Sequence, residues 1–212
     1  MLINKCMSDL KSLTKQIQEA CGVKADGIYG PNTARAILRK LEQPQTEGAP
    51  AKQDASFQEV YKASPNISYS TIRPEGVVLH HSYGSYKGGV SWILNDASNV
   101  SYHVLINTDG ERTVFAKDTQ RAWHAGSSSF NGRSGCNGFM LGLAFTGDTN
   151  DRELTQAEID SAVEFLLPRF DRWNWPKDLS TVTTHRDVSP GRKTDVDNRA
   201  EKAIIEALRS AL

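Results

Sequence analysis

The sequence predicts an α/β domain, with a mixed central β-sheet flanked by helices, preceded by a small all-α N-terminal module. Three observations lead there. Short apolar runs rich in β-branched residues recur between residues 76 and 184. Two amphipathic helical patterns lie among and after them. Residues 44–56, "PQTEGAPAKQDAS", hold two prolines, a glycine and almost nothing to bury, and read as a linker. The predicted layout is therefore a helical module over 1–43, a linker over 44–56 and a body over 57–212.

In the module, Leu10, Leu13, Ile17 and Cys21 recur at helical spacing, as do Ala34, Ile37, Leu38 and Leu41. Between them "KADGIYGPNT" supplies a tight turn, and Asn32 or Thr33 is placed to cap the second helix. In the body, "GVVLHH" (76–81) reads as a strand buried on both faces. "VSYHVLIN" (100–107) alternates, with Val100, Tyr102, Val104 and Ile106 expected on one face. Asp109-Gly110 then turns into "RTVFA" (112–116), a hairpin signal. "MLGLAF" (140–145) and "STVTT" (180–184) are further strand candidates. A helix over 155–170 opens on Thr155-x-x-Glu158, a capping-box pattern, shows the stripe Ile159, Val163 and Leu166, and should end or kink at Pro168. A last amphipathic helix starts near Asn198 and carries Ile204, Ile205 and Leu208.

Bulk properties exclude more than they identify. With 25 basic and 25 acidic residues the formal charge is zero, which offers no electrostatic footprint for nucleic acid. No apolar run approaches the ~18 residues of a membrane span, and Lys5, Asp9 and Lys11 interrupt the N-terminus, so no export signal is legible. Cys6, Cys21 and Cys136 form no CxxC pair, and their odd number suits a reducing compartment. A monomer in the cytoplasm is expected.

The chemistry gathers on histidines. There are five: His80, His81, His103, His124 and His185. His80-His81 and His185 close strand candidates, where active-site groups commonly emerge, and His185 is followed by Asp187, Asp195 and Asp197. Two histidines, one carboxylate and a water make a recurrent catalytic zinc set. Spacing alone chooses neither between His80 and His81 nor among the three aspartates. A kinase reading of "HRD" fails, because Val188 follows it and Arg192 stands where asparagine is needed.

Five motifs in order complete the picture: "VVLHHS" (77–82), "SYHVLINTDG" (101–110), "RAWHAGSSSFNGRSGCN" (121–137), "LGLAFTG" (141–147) and "THRDVSPGRKTD" (184–195). The series resembles the zinc-dependent N-acetylmuramoyl-L-alanine amidases, a group containing phage lysozyme-type amidases, cytosolic anhydro-muropeptide amidases and peptidoglycan recognition proteins. The resemblance implies Zn²⁺ held by His80, His185 and Asp195, with His81 lining the site. Asp187 and Asp197 then fall to loop bonding or helix capping. It implies Lys193 as the cation for the developing oxyanion. Recycling-type members carry a glutamate where this chain has Ala144, and phage-type members lack it but place a tyrosine at the position of Tyr102. The pair Ala144 and Tyr102 therefore resembles the phage-type set, with Tyr102 assisting the nucleophilic water. Trp123, His124, Arg133 and Asn137 are expected to bind substrate sugar and stem peptide.

"LTKQIQEACGVKADGIYGPNTARAIL" (13–38) is similar to peptidoglycan-binding modules of the ADGxxGPxT type. Together these resemblances imply a peptidoglycan hydrolase cutting between N-acetylmuramic acid and L-alanine, and a phage endolysin stored in the host cytoplasm and released onto the wall. The alternatives are a cytosolic anhydro-muropeptide recycling amidase and a non-catalytic peptidoglycan-recognition protein.

Overall fold

The structure, a computed structural model, describes residues 2–20, 25–30, 33–34 and 57–212. The chain divides into two compact units, Met1–Asp54 and Ala55–Leu212.

The first unit contains helix α1 (Leu2–Ala20). Of the apolar stripe, Leu10 and Leu13 are 59% and 54% exposed and Ile17 is partly buried. The buried side chain is instead a polar one, Gln18, whose amide donates to Asp26 Oδ1 (2.8 Å) and Thr33 Oγ1 (3.0 Å). Its carbonyl accepts from Gly27 N–H at 2.9 Å, which pins the Asp-Gly turn to the helix. Cys21, the helix expected over 34–41 beyond Ala34, and the linker 44–56 lie outside the described residues.

The second unit is built on a six-stranded mixed sheet. Its strands are β1 (Glu59–Tyr61), β3 (Val77–Ser82), β4 (Val104–Ile106), β5 (Arg112–Val114), β9 (Leu141–Thr146) and β10 (Val182–Thr184), in the order β1-β5-β4-β9-β3-β10. Only β4 and β5 are antiparallel; the other pairs run parallel. Two short ribbons, β2 (Ile67–Thr71) with β6 (Gln120–Ala122) and β7 (Ser129–Phe130) with β8 (Arg133–Ser134), lie outside it. The helices are α2 (Tyr86–Leu94), α3 (Gln156–Trp173), the single turn α4 (His185–Val188) and α5 (Asn198–Ala211).

Both faces of the sheet are covered, as the unbroken apolar run of β3 requires. Val77, Leu79, Leu141, Leu143, Phe145, Val104 and Ile106 pack with α3 and α5 in the main core. The opposite face holds Val78 and Met140 in one cluster and Leu105, Ala144 and Ile93 in another. Residues of alternate parity thus look into different cores, and His80 and Ala144, adjacent in register, share the face away from α3 and α5.

Several expectations need correction. β4 is three residues long, not eight, and is buried on both sides rather than alternating in and out. Val104 and Ile106 enter the main core, while Tyr102 precedes the strand and packs against the Leu105–Ala144 cluster on the other face. Helix α3 passes through Pro168 to Trp173, because Phe170 is buried beyond the proline and meets Trp175 edge-on at 5.4 Å. Its buried face is Glu158, Ser161, Ala162, Phe165, Leu166 and Phe170; Ile159 and Val163 are only partly buried. In α5 the buried residues are Ala200, Ile204 and Leu208.

Candidate metal centre

Parallel register brings the two end-of-strand histidines together. Thr184 of β10 lies beside Leu79 of β3, so the next residues, His185 and His80, emerge side by side at the same edge. Their ring centroids are 4.4 Å apart. Thr184 caps α4, its hydroxyl accepting from Asp187 N–H at 3.1 Å, which fixes the first turn that orients His185. The loop after α4 folds back through Arg192 and Lys193 N–H groups donating to Ser189 O, both at 3.1 Å. Arg186 N–H donates to Asp195 O at 2.6 Å. Asp195 is thereby returned to the site.

Its Oδ2 lies 3.1 Å from His185 Nδ1 and 3.4 Å from His80 Nδ1. One ligand atom from each of the three residues falls within 4.8 Å of the others, and all three residues are buried. Donor atoms bound about 2.1 Å from a tetrahedral ion stand about 3.4 Å apart, so the observed separations suit one small cation. The donor chemistry fits too. His80 Nδ1 is buried with no hydrogen-bond partner, an arrangement that costs on the order of 1–3 kcal/mol unless something binds there. His185 Nε2 lies 3.1 Å from the Ala125 carbonyl and Nδ1 3.1 Å from Asp195 Oδ2; with the ring proton on Nε2, donated to that carbonyl, Nδ1 presents a lone pair to a cation shared with Asp195. Lone pairs and a carboxylate converge, and two imidazoles with one carboxylate are a zinc donor set.

The local electrostatics favour a neutral His80 and a charged Asp195. Burial lowers the His80 pKa to about 4, against the raising influence of Asp195. Burial alone would raise Asp195, but the adjoining His185 and His80 rings outweigh it and hold the carboxyl well below its usual range.

The remaining predicted residues fall into three groups. Tyr102 and His81 border the cluster. The Tyr102 ring is 5.1 Å from His80, and its hydroxyl is 3.5 Å from His81 O. Burial, then the Asp195 charge, raises the phenol's pKa, so it is a neutral donor. His81 N–H points to Asp195 Oδ2 at 3.4 Å, while its ring accepts from Thr149 N–H at 3.1 Å and faces Asp148 at 3.3 Å. Lys193 is exposed on the loop, and its charge disfavours the imidazolium forms of both His80 and His81.

A second group supports from behind. His124 is buried, with Nδ1 2.9 Å from His80 Nε2. Asn137 Oδ1 accepts from His124 N–H (3.1 Å) and Ala125 N–H (2.7 Å), and Trp123 is tied by Nε1–H to Ser68 Oγ at 2.9 Å. Arg133 is the exception. It pairs with Glu75 at 2.7 Å and lies over the Phe139 ring at 4.0 Å. Those two line a cavity of about 220 Å³ with Thr181. Glu75 precedes β3, five residues and roughly 16 Å of strand before His80, so Arg133 is not brought to the cluster. Asp197 caps α5 by accepting from Ala200 N–H at 2.9 Å, and Asp187 pairs with Arg186 at 3.0 Å, the structural roles expected of them.

Sequence reasoning missed three residues around the site. Arg192 clamps the loop over the site, one Nη donating to the carbonyls of Ala125 (2.6 Å) and Ser127 (2.8 Å). Thr149 holds the His81 ring through its N–H, and Asp148 lies beside it at 3.3 Å. Their signal was available: Gly147-Asp148-Thr149 directly follows a buried parallel strand, where α/β sheets place ligand-binding loops.

Comparison with known proteins identifies the family. The family model described as N-acetylmuramoyl-L-alanine amidase matches residues 70–198. A 1,6-anhydro-N-acetylmuramyl-L-alanine amidase AmpD of Haemophilus influenzae is 38% identical over 164 residues, covering 74% of this chain and 84% of that protein. The AmpD of Escherichia coli is 36% identical over 96 residues; there the match spans 45% of this chain and only 51%, about half, of the relative. Among solved structures, a selenomethionine derivative of AmpD superposes with a TM-score of 0.60 at 26% identity, covering 73% of this chain and 94% of that one. With the family model matching well over half of its length, the chain belongs to the N-acetylmuramoyl-L-alanine amidase family.

Proposed function

We propose that the chain is a zinc-dependent amidase that hydrolyses the amide joining N-acetylmuramic acid to L-alanine. The observation that carries this reading is the convergence of His80 Nδ1, His185 Nδ1 and Asp195 Oδ2, three electron-pair donors, with His80 Nδ1 otherwise unpartnered. Zinc bound there would supply Lewis-acid chemistry, acidifying a water from a pKa of 15.7 toward ~7 and polarising the scissile carbonyl.

The chain's own residues supply the rest. Lys193, exposed two residues before Asp195, is the cation available to the oxygen on which charge develops. Tyr102 stays protonated near neutral pH, so its hydroxyl orients the attacking water or the carbonyl by donating a hydrogen bond rather than by taking a proton. His81, held by the Thr149 N–H, forms the wall beside Asp195.

The relatives named as 1,6-anhydro-N-acetylmuramyl-L-alanine amidases favour a soluble anhydro-muropeptide as substrate, the recycling reading. One observation favours polymeric peptidoglycan instead. Ala144, next to His80 in register, presents a methyl where the recycling-type resemblance implies a glutamate base, and Tyr102 packs against the apolar cluster that contains it. With the peptidoglycan-binding resemblance of residues 13–38, this supports a wall hydrolase, in its narrowest form a phage endolysin released onto the wall. Among the described residues no helix is long and apolar enough to cross a membrane. A non-catalytic recognition protein is disfavoured by retention of all three donors.

The deciding experiment offers the purified protein soluble anhydro-muropeptides and intact sacculi side by side. Release of new N-terminal alanine without new reducing ends, abolished by a chelator and restored by zinc, is expected. Faster turnover of the soluble substrate would establish the recycling reading, and faster turnover of sacculi the wall-hydrolase reading. New reducing ends, or binding with no cleavage, would overturn the amidase proposal.

A further inference from the structure

His124 does not face the substrate side of the cluster, and its contacts suggest a different task. Its Nε2 lies 3.1 Å from the Met140 carbonyl. A carbonyl only accepts, so Nε2 carries the proton and Nδ1 of the neutral ring is an acceptor. The atom that approaches this acceptor, at 2.9 Å, is His80 Nε2, which must therefore be the donor. With its proton on Nε2, His80 turns a bare Nδ1 toward Asp195 and His185. The unpartnered nitrogen at the centre of the site thus follows from a carbonyl two imidazoles away.

The packing is arranged around this ring. A Cβ at Gly142 would stand 2.5 Å from His124 Cγ, so only glycine at that point of β9 admits the imidazole. Asn137 fixes the backbone on either side of the His124–Ala125 peptide. His103 accepts from Gly142 N–H at 2.9 Å and is 5.9 Å from the His124 ring, closing the remaining side.

We infer that His124 is a positioning residue: the chain Met140 C=O, His124, His80 sets the His80 tautomer so that Nδ1 is available to a divalent cation, and the bare Cα of Gly142 leaves space for that chain. The inference rests on the metal-centre reading above. Outer partners of metal-bound histidines typically contribute 10–100-fold in metal affinity, which sets the scale.

The test measures Zn²⁺ dissociation constants of the full chain by competition with a chromophoric chelator. His124→Phe, which keeps a ring but removes the acceptor, should weaken zinc about 10–100-fold. His124→Asn, whose Oδ1 stands near the position of Nδ1 and can accept, should recover most of that loss. Gly142→Ala, which displaces the ring without removing a polar group, should weaken zinc as His124→Phe does. Circular dichroism of each variant accompanies the titration. In parallel, long-range ¹⁵N–¹H correlation spectra of the metal-free wild type should show His80 protonated on Nε2. Wild-type zinc affinity in folded His124→Phe, or an Nδ1-protonated His80, would overturn the inference. If the variants do not fold, the wild-type spectrum alone decides. Failure of the wild type to bind zinc would overturn the metal-centre reading, while the tautomer spectrum would still judge the relay.

Discussion

At the scale of single residues, three aspartates follow His185 and only one of them is in the cluster. Asp195→Ala should lower zinc affinity by more than the roughly 10–100-fold typical of outer partners, and should abolish amidase turnover. Asp187→Ala should leave both intact, because its carboxylate pairs with Arg186 in a partly exposed ion pair worth about 0–1 kcal/mol. Elemental analysis and turnover of the two purified variants check this, and equal loss in both would remove Asp195 from the site. His103 makes a second prediction. Burial lowers its pKa to about 4 from the ordinary 6.5, with the Gln120 carbonyl pulling the other way. The unfolded chain therefore binds a proton at pH values where the folded chain does not. Stability from this group is complete above pH 6.5 and is lost as pH falls toward 4, on the order of 3 kcal/mol in all. His103→Gln should flatten that part of the stability curve in urea titrations of the metal-free protein. The sequence named His80, His185 and Asp195 only through a resemblance, because residue spacing does not reveal parity. His80 and His81 look into opposite faces of the sheet, and which face carries the site depends on partner strands dozens of residues away.

At the scale of elements, local signals succeeded where the chain answers to its neighbours in sequence. Helix α3 shows this. Thr155 Oγ1 accepts from Glu158 N–H at 3.1 Å and Glu158 Oε2 accepts from Thr155 N–H at 2.9 Å, the reciprocal cap its sequence announced. Thr155 Oγ1 also donates to Thr108 O at 2.6 Å, joining the cap to the turn between β4 and β5. Thr155→Ala should cost about 1–2 kcal/mol, seen as a melting temperature lower by ~2–4 °C per kcal/mol with the metal content unchanged. An unchanged melting curve would show that the cap is idle. The hairpin at Asp109-Gly110 was equally legible, since Gly110 has φ +86° and its N–H donates to Asn107 O at 2.9 Å. Elements defined by distant partners were not. Strand β1 exists through its parallel pairing with β5, some fifty residues on, and carries no periodic signal of its own in three residues. Helix α2 contains Gly88 and Gly89, poor helix formers; a Cβ at Gly89 would meet Leu105 Cδ2 at 2.9 Å, so close packing against β4 selects the glycine over local propensity. The chain leaves the alternation of "SYHVLI" at His103, and that departure carries Tyr102 to the face of His80.

At the scale of the whole molecule, the body carries its own stability. All three buried apolar clusters among the described residues lie within Ala55–Leu212, and the three metal-ligand candidates come from that unit alone. Removing residues 1–54 should therefore leave the melting transition of the body and its zinc content unchanged. Turnover of a soluble muropeptide, which needs only the cluster and its loops, should also be retained. The two readings of the N-terminal unit separate on the polymer. If Leu2–Ala20 and the Gln18-pinned turn belong to a wall-binding module, deletion lowers the local concentration of enzyme on sacculi, and the rate there should fall by about tenfold or more at low protein concentration. The deficit should shrink as enzyme concentration rises, because tethering alters encounter and not the chemical step. Equal rates on sacculi with and without residues 1–54 would deny the unit a wall-binding role and shift the balance toward a soluble substrate. Loss of activity on both substrates would mean instead that the unit completes the site, against the separation of the cores.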